Sequence, residues 1–269
     1  MNRPLLEIVK ERKSVRTFDG NKLSKQDQDL LTDYMSETEN PFQIPVQFVF
    51  LDGAEHGLSS PVLSGDTLYI AGIVEKKPYA DVAFGYAFEK LVLYAWSIGI
   101  GTVWIGGTMN REQFEKAAGL SEGYMMPCIS PLGYPAKKRS LKESMMRKGV
   151  KADTRIPAEQ LFFKDSWGQP LSIPAEMKDI FEMVRWAPSA VNKQPWRVVE
   201  KDGVYHFYEK KDKGYVNEST GDLQKIDVGI ALCHFVMGLK ESGKQPAVQV
   251  EDPGISVPEK VEYIASISF

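Results

Sequence analysis

At 269 residues with 43% hydrophobic content, the chain can build one large core or two small ones and does not have the composition of a disordered protein. A formal net charge of −3 gives no general pull toward nucleic acid, and no apolar run approaches the roughly 18 residues of a membrane span. Two cysteines (Cys128, Cys233) and three dispersed histidines (His56, His206, His234) exclude a disulfide framework and a zinc-type ligand set. No metal is therefore expected, and any hard chemistry falls to an organic cofactor. The opening Met1-Asn2-Arg3-Pro4 has no apolar signal region, so a cytoplasmic location with reduced thiols is the expectation.

Leu5 to Val9 reads as a short amphipathic helix running into Glu11-Arg12-Lys13-Ser14-Val15-Arg16. In an extended segment, Arg12, Ser14 and Arg16 share one face and Val15 takes the other. Two guanidiniums flanking a hydroxyl suit a phosphate or a ring carbonyl edge. A solvated basic stretch at a helix end is the alternative. Ser24 caps a helix over residues 25–36, with Leu30, Leu31 and Tyr34 inward. Strands are expected at 46–51 and 67–74, separated by a loop, and the strongest helix at 86–98, stopped by Gly99 and Gly101. Val103 to Ile105 reads as a strand, and Gly106-Gly107 lets backbone approach a ligand or make a simple turn.

A helix at 111–118 and a strand at 126–132 follow, then Gly133-Tyr134-Pro135 and the cations Lys137, Lys138 and Arg139, fit for a phosphate or for solvent. Residues 140–174 read as a linker or crossover, with Met145-Met146 an exposed linker or a flap. The helix 177–186 enters Trp186-Ala187-Pro188-Ser189-Ala190-Val191-Asn192-Lys193-Gln194-Pro195-Trp196, a loop fixed at both ends by proline. Its hydroxyl and amide groups between aromatics suit a planar, polar-edged ligand. A hairpin turning at Asp202-Gly203, a helix at 226–242 and strands at 248–250 and 262–268 complete an α+β pattern.

Gly85 and Gly229 open comparable helices 144 positions apart, and Leu30 and Ile180 are 150 apart, as expected for two related halves. The halves are unequal, because only the first has the arginine motif and only the second has the proline-bounded loop.

Together, Arg-x-Ser-x-Arg, Trp-Ile-Gly-Gly, Leu-Gly-Tyr-Pro and Ala-Pro-Ser-Ala-x-Asn-x-Gln-Pro-Trp resemble the flavin-dependent nitroreductase family. The resemblance implies helices around a mainly antiparallel mixed sheet. Ordinary members are dimers with FMN between protomers. The wide separation of residue 12 from residue 188 makes this chain similar to a fused pseudo-dimer, with halves at 1–140 and 175–269 and a crossover at 141–174. It further implies FMN as cofactor and NAD(P)H as electron donor. Arg12, Lys13, Ser14, Lys138 and Arg139 would lie around the flavin phosphate and ribityl chain, with Arg16 near its pyrimidine edge. Ile105, Gly106 and Gly107 would face the ring near N5, with Pro188, Ser189, Ala190 and Asn192 covering it. Ping-pong hydride transfer to a nitroaromatic, quinone or similar small acceptor would need no catalytic side chain. A flavin sensor without turnover and a related flavoenzyme such as a dehalogenase are the rival expectations. One chain would supply a complete site without a protein partner, nucleic acid or membrane.

Overall fold

The computed structural model describes Met1 and residues 3–269. In chain order, α1 (Leu5–Glu11) and α2 (Lys25–Met35) precede the hairpin of β1 (Val46–Asp52) and β2 (Leu68–Glu75), with the one-turn α3 (Gly53–His56) between them. Next come α4 (Ala80–Ser97), α5 (Arg111–Ala117), β3 (Tyr124–Met125), β4 (Ile129–Leu132), α6 (Leu141–Gly149) and β5 (Phe162–Lys164). The remainder holds α7 (Lys178–Trp186), β6 (Trp196–Lys201), β7 (Val204–Lys210), β8 (Val216–Asn217), β9 (Gly221–Asp222), α8 (Leu223–Glu241), β10 (Ala247–Gln249) and β11 (Val261–Ser268).

The α+β expectation holds, but the strands form two main sheets. The first, β1-β2 with β3 and β4 beside β2, is antiparallel throughout. The second runs β10-β11-β7-β6-β5 and is mixed, because β5 pairs parallel to β6. Both follow one path: a helix leads into an antiparallel hairpin, a long helix follows, and a later strand returns antiparallel beside the hairpin's second strand. The first sheet does this through α2, β1, β2, α4 and β4, the second through α7, β6, β7, α8 and β11. Asp202 (φ 53°) and Gly203 (φ 79°) turn the second hairpin with the two positive φ values of a type I′ turn.

Helices α4 and α8 lie against each other in the middle of the molecule, and each also packs on its own sheet. They are apolar nearly all round, as helices enclosed on every side must be. The approach is set by two glycines in a reciprocal arrangement. A Cβ on Gly85 would fall on the Ile226 carbonyl, and one on Gly229 would fall on the Val82 carbonyl. Ile226 and Val82 each stand three residues before the opposing glycine, so the crossing relates the helices to each other symmetrically.

Several expected boundaries differ. Helix α4 starts at Ala80 instead of Tyr86 and α8 at Leu223 instead of Ile226, where Asp222 accepts from Gln224 and Lys225 N–H. Gly85 marks a close approach inside a helix and not an entry to one. Residues 103–105 form no strand, only a bridge from Ile105 to Ile129. Pro127 falls in the gap between β3 and β4, so the strand expected at 126–132 is shortened to β4 at 129–132. The stretch expected as linker carries α6 and β5. Leu31 is the fully buried residue of α2, while Tyr34 stacks on Tyr94 at 3.9 Å.

Gly85→Ala or Gly229→Ala should destabilise the protein by roughly 3 kcal/mol, because neither carbonyl can move without separating the helices. A Cβ at Gly149 meets nothing within 4 Å, so Gly149→Ala should leave the urea midpoint unchanged or slightly raised.

Candidate functional site

Between the two sheet-bearing units lies a cavity of about 510 Å³, within the range of small-molecule and cofactor sites. Its walls come from Arg12, Lys13, Ser14 and Arg16 after α1, from residues 103–108, from the loop 188–192 and from the start of α8. Arg139, Met146, Arg147 and Arg155 close it on a further side. Of the thirteen residues singled out in the sequence, the structure brings twelve to this cavity. Lys138 is the exception: it is exposed and outside the lining, while Arg139 turns in, its Nε 3.7 Å from Glu143.

The arginine segment is positioned by its neighbours. Ser14 bridges Thr102 in parallel, and Val15 donates its N–H to the Thr102 carbonyl at 2.9 Å. Val15 is buried against Gly101, where a Cβ would lie 2.9–3.0 Å from its side-chain carbons. With Val15 held inside, the alternation of an extended chain sends Arg12, Ser14 and Arg16 to the cavity side. Gly133 serves packing too, since a Cβ there would meet the Phe18 ring at 2.8 Å.

Arg12 is 8% exposed, and its Nε and Nη1 have no hydrogen-bond partner; the same holds for Nε of Arg16 and Nε of Arg155. Burial lowers the pKa of all three, and the nearby Arg147 acts on each in the same direction. Buried guanidinium nitrogens without partners are costly unless something anionic completes them. A phosphate would do so at Arg12 and Arg16. Gly107 leaves further room, because a Cβ there would meet no protein atom within 4 Å. The backbone of Gly106 is pinned by Arg111, which donates to the Gly106 and Met126 carbonyls at 2.6 Å.

Behind Arg12 is a buried polar junction. Glu89 of α4 lies 4.0 Å from Arg12 Nε, accepts from Trp104 Nε1 at 3.2 Å and meets His234 Nε2 of α8 at 2.9 Å. His234 Nδ1 donates to the Met183 carbonyl at 2.8 Å, so the imidazole ties α8 to α7 on one side and to α4 on the other. His234 is thus a core residue joining the units. His206, bonded to Ser266, is also buried, and its pKa is lowered by burial.

The proline-bounded loop is held by three ties. Asp227 of α8 accepts the Ala190 N–H through both oxygens at 3.0 Å. Ser189 Oγ accepts from Gln194 N–H at 2.9 Å, and Asn192 Nδ2 donates to the Lys151 and Thr154 carbonyls at 2.8 and 3.1 Å. These bonds stabilise positive φ at Val191, Asn192 and Gln194, which L-residues seldom adopt. Trp196 is fully buried beneath the loop.

Sequence reasoning missed Arg147, Arg155, Asp227 and Arg111. Residue Arg111 had one legible signal, a cation four residues before Glu115. Asp227 had none, being an isolated acid in an apolar helix. Burial raises its pKa well above the usual carboxylate range, with Asp222 and Glu209 adding to the effect. Burial also pushes Glu209 up to about 7 and the Cys128 thiol, which lines the cavity, up to about 12, so Cys128 is no nucleophile near neutral pH.

This is a basic cavity enclosed by two helix-on-sheet units. Residues 4–239 match the family described as "Putative TM nitroreductase", and the chain belongs to that family. No curated protein matches it. Among solved structures it is similar to one described as a "putative nitroreductase" from Thermotoga maritima, with 21% identity and a TM-score of 0.65 over 99% of this chain and 94% of that one. That likeness shows the fold. A protein from Bacteroides thetaiotaomicron described as "Putative NADH dehydrogenase/NAD(P)H nitroreductase" shares 24% identity over 52% of this chain and 91% of its own, with a TM-score of 0.44. An iodotyrosine deiodinase bound to FMN and 3-iodo-L-tyrosine shares 18% over 51% and 92%, with a TM-score of 0.43. Among the described residues, no helix is long and apolar enough to cross a membrane and no acidic, cysteine and histidine cluster could hold a metal.

The folded state binds the Glu209 proton more tightly than the unfolded chain does. The stability this gives is complete below about pH 4.5 and is lost as pH rises through about 7. Glu209→Gln should therefore be more stable than the parent at pH 8, by roughly 1–3 kcal/mol, and the gap should narrow toward pH 4.5 in urea titrations.

Proposed function

We propose that this protein is an FMN-dependent NAD(P)H oxidoreductase whose single chain acts as a fused pseudo-dimer. The observation that carries the proposal is the division of the cavity: unpartnered arginine nitrogens come from residues 12–16, and the covering loop comes from residues 188–192. When bound, the flavin would supply two-electron hydride chemistry between NAD(P)H and a nitroaromatic, quinone or similar acceptor.

The chain's part is to bind, orient and polarise. Arg12, Ser14 and Arg139 would hold the phosphate and ribityl region, without the contribution expected of Lys138. Lys13, 5.7 Å above the Trp96 ring, adds charge at that end. Arg16 would stand at the pyrimidine edge, where a fixed cation offsets the negative charge of the reduced ring. Ile105, Gly106 and Gly107 line the cavity between these groups, and the two glycines carry no side chain into it. Pro188, Ser189, Ala190 and Asn192 would cover the opposite side, although the Asn192 amide is committed to the Lys151 and Thr154 carbonyls. Asp227, through Ala190, is a positioning residue for that wall.

The shared path of the two sheets and the reciprocal glycines support reading residues 1–140 and 175–269 as related halves. On this reading residues 141–174 are more than a tether, since they line the cavity and add β5 to the second sheet. The complete site needs no second chain.

Anaerobic addition of NADH or NADPH to the purified yellow protein should bleach the flavin, and a nitroaromatic should restore it. A flavin that binds but does not bleach would make the protein a flavin binder without turnover and overturn the oxidoreductase reading. Arg12→Ala should weaken FMN binding roughly 10- to 100-fold in a fluorescence titration, the range for losing a charge-assisted hydrogen bond.

A further inference from the structure

The two hairpins follow the same path but differ at one edge. Strand β1 follows Pro45 as β6 follows Pro195, and Phe48 and Val198 are 150 positions apart, the spacing of Leu30 and Ile180. In the second sheet the outer side of β6 is taken by β5, which comes from the connecting segment. In the first sheet β1 is the terminal strand, and no strand lies along its outer side. Burial records the difference. Val198, Val199 and Glu200 are buried beside β5, whereas Phe48, Val49 and Phe50 are only half-buried.

Strand β5 shows what such an edge accepts. Phe162 turns to one face and joins the main core, and Phe163 turns to the other and packs with Val199 and Tyr208. A strand added to this kind of sheet has to carry apolar side chains to both faces. Strand β1 meets the same condition. Val46, Phe48 and Phe50 pack on the main core, and Val49 and Leu51 belong to the cluster on the other face.

The β1 edge also lacks the usual protection. Residues 46–51 contain no charge and no proline, and Gln47 is the exposed residue among them. The register with β2 runs unbroken from Val46 opposite Val74 to Asp52 opposite Leu68, so no bulge turns the edge away. Among the described residues, no backbone hydrogen bond from outside the sheet reaches residues 46–51. An uncharged, unbroken edge of this length is a template for a further strand.

We propose that β1 pairs with β1 of a second copy of this chain, antiparallel about a two-fold axis, joining the two four-stranded sheets into one. The strand is its own complement. With the axis at Val49, the middle of β1, Val49 faces the partner's Val49 and Phe48 faces the partner's Phe50. Side chains that face each other across an antiparallel pair share one side of the sheet, so apolar groups meet apolar groups on both faces. The same patch serves both copies, as a two-fold contact requires. A net charge of −3 opposes this contact only weakly. One strand pair falls below the roughly 1,200 Å² of a standard interface, so the dissociation constant is on the order of 10 to 100 µM. The pairing does not rest on the flavin reading and is the same with and without FMN.

Sedimentation equilibrium of the full chain from about 1 to 300 µM tests the pairing. The expected result is a reversible monomer–dimer equilibrium. Val49→Lys sets two like charges opposite each other and should raise the dissociation constant about tenfold or more. Gln47→Lys changes an exposed side chain of the same edge and should act in the same direction, so the test holds even where Val49→Lys fails to fold. Leu141→Lys, at a side chain 84% exposed on α6, should leave the equilibrium unchanged. A chain that stays monomeric over the whole range overturns the proposal. So does a dimer that Leu141→Lys dissolves, or one that the edge variants leave intact while circular dichroism shows them folded.

Discussion

The close crossing of α4 and α8 is the constraint on which the rest of the structure depends. Gly85 and Gly229 let the two backbones meet without side chains between them, and each helix carries its own sheet. The crossing also fixes where the polar groups at its edges fall. Glu89 on α4 backs Arg12 and Trp104 on one wall of the cavity. Asp227 on α8 holds Ala190 on the facing wall. Opposite walls of the cavity are therefore braced from two helices whose spacing is set by backbone contact. A site built this way is as rigid as the helix pair itself.

The second constraint is electrostatic. Burying several arginines around one cavity costs desolvation and mutual repulsion, and only part of that is offset within the protein. Glu89, Glu143 and Asp153 each lie near one of them. Glu143 accepts from Thr17 Oγ1 at 2.8 Å and from Arg16 N–H at 3.3 Å, so α6 is anchored to the arginine segment by the same acid that offsets its charge. The uncompensated remainder is stability given up at the cavity wall.

Much of this was legible in the sequence, for physical reasons that can be named. The extended Arg-x-Ser-x-Arg alternation, the two prolines around residues 188–195, the Asp-Gly turn and the Ser24 cap each act through local geometry, which survives in any fold. Residues 141–155 were not legible because α6 reverses the usual pattern. Its buried residues are Glu143 and Arg147, while Leu141 and Met145 are 84% and 68% exposed. A helix that turns its polar face to a cavity looks from sequence like solvated linker. At only three residues, β5 gives too short a pattern to read, and its pairing comes entirely from the distant β6. The early start of α4 was hidden by Gly85, whose purpose is interhelical contact. Lys138 and Arg139 are neighbours in sequence, and only the turn into α6 decides which one faces inward.

The central claim is that one chain, by joining two related halves, builds one complete flavin site. Released flavin per chain, measured on purified protein saturated with FMN and matched to its mass in solution, tests this most directly. The account predicts about one FMN per chain in a species that can be a single chain. Two flavins per chain, or flavin bound only when two chains associate, would contradict it.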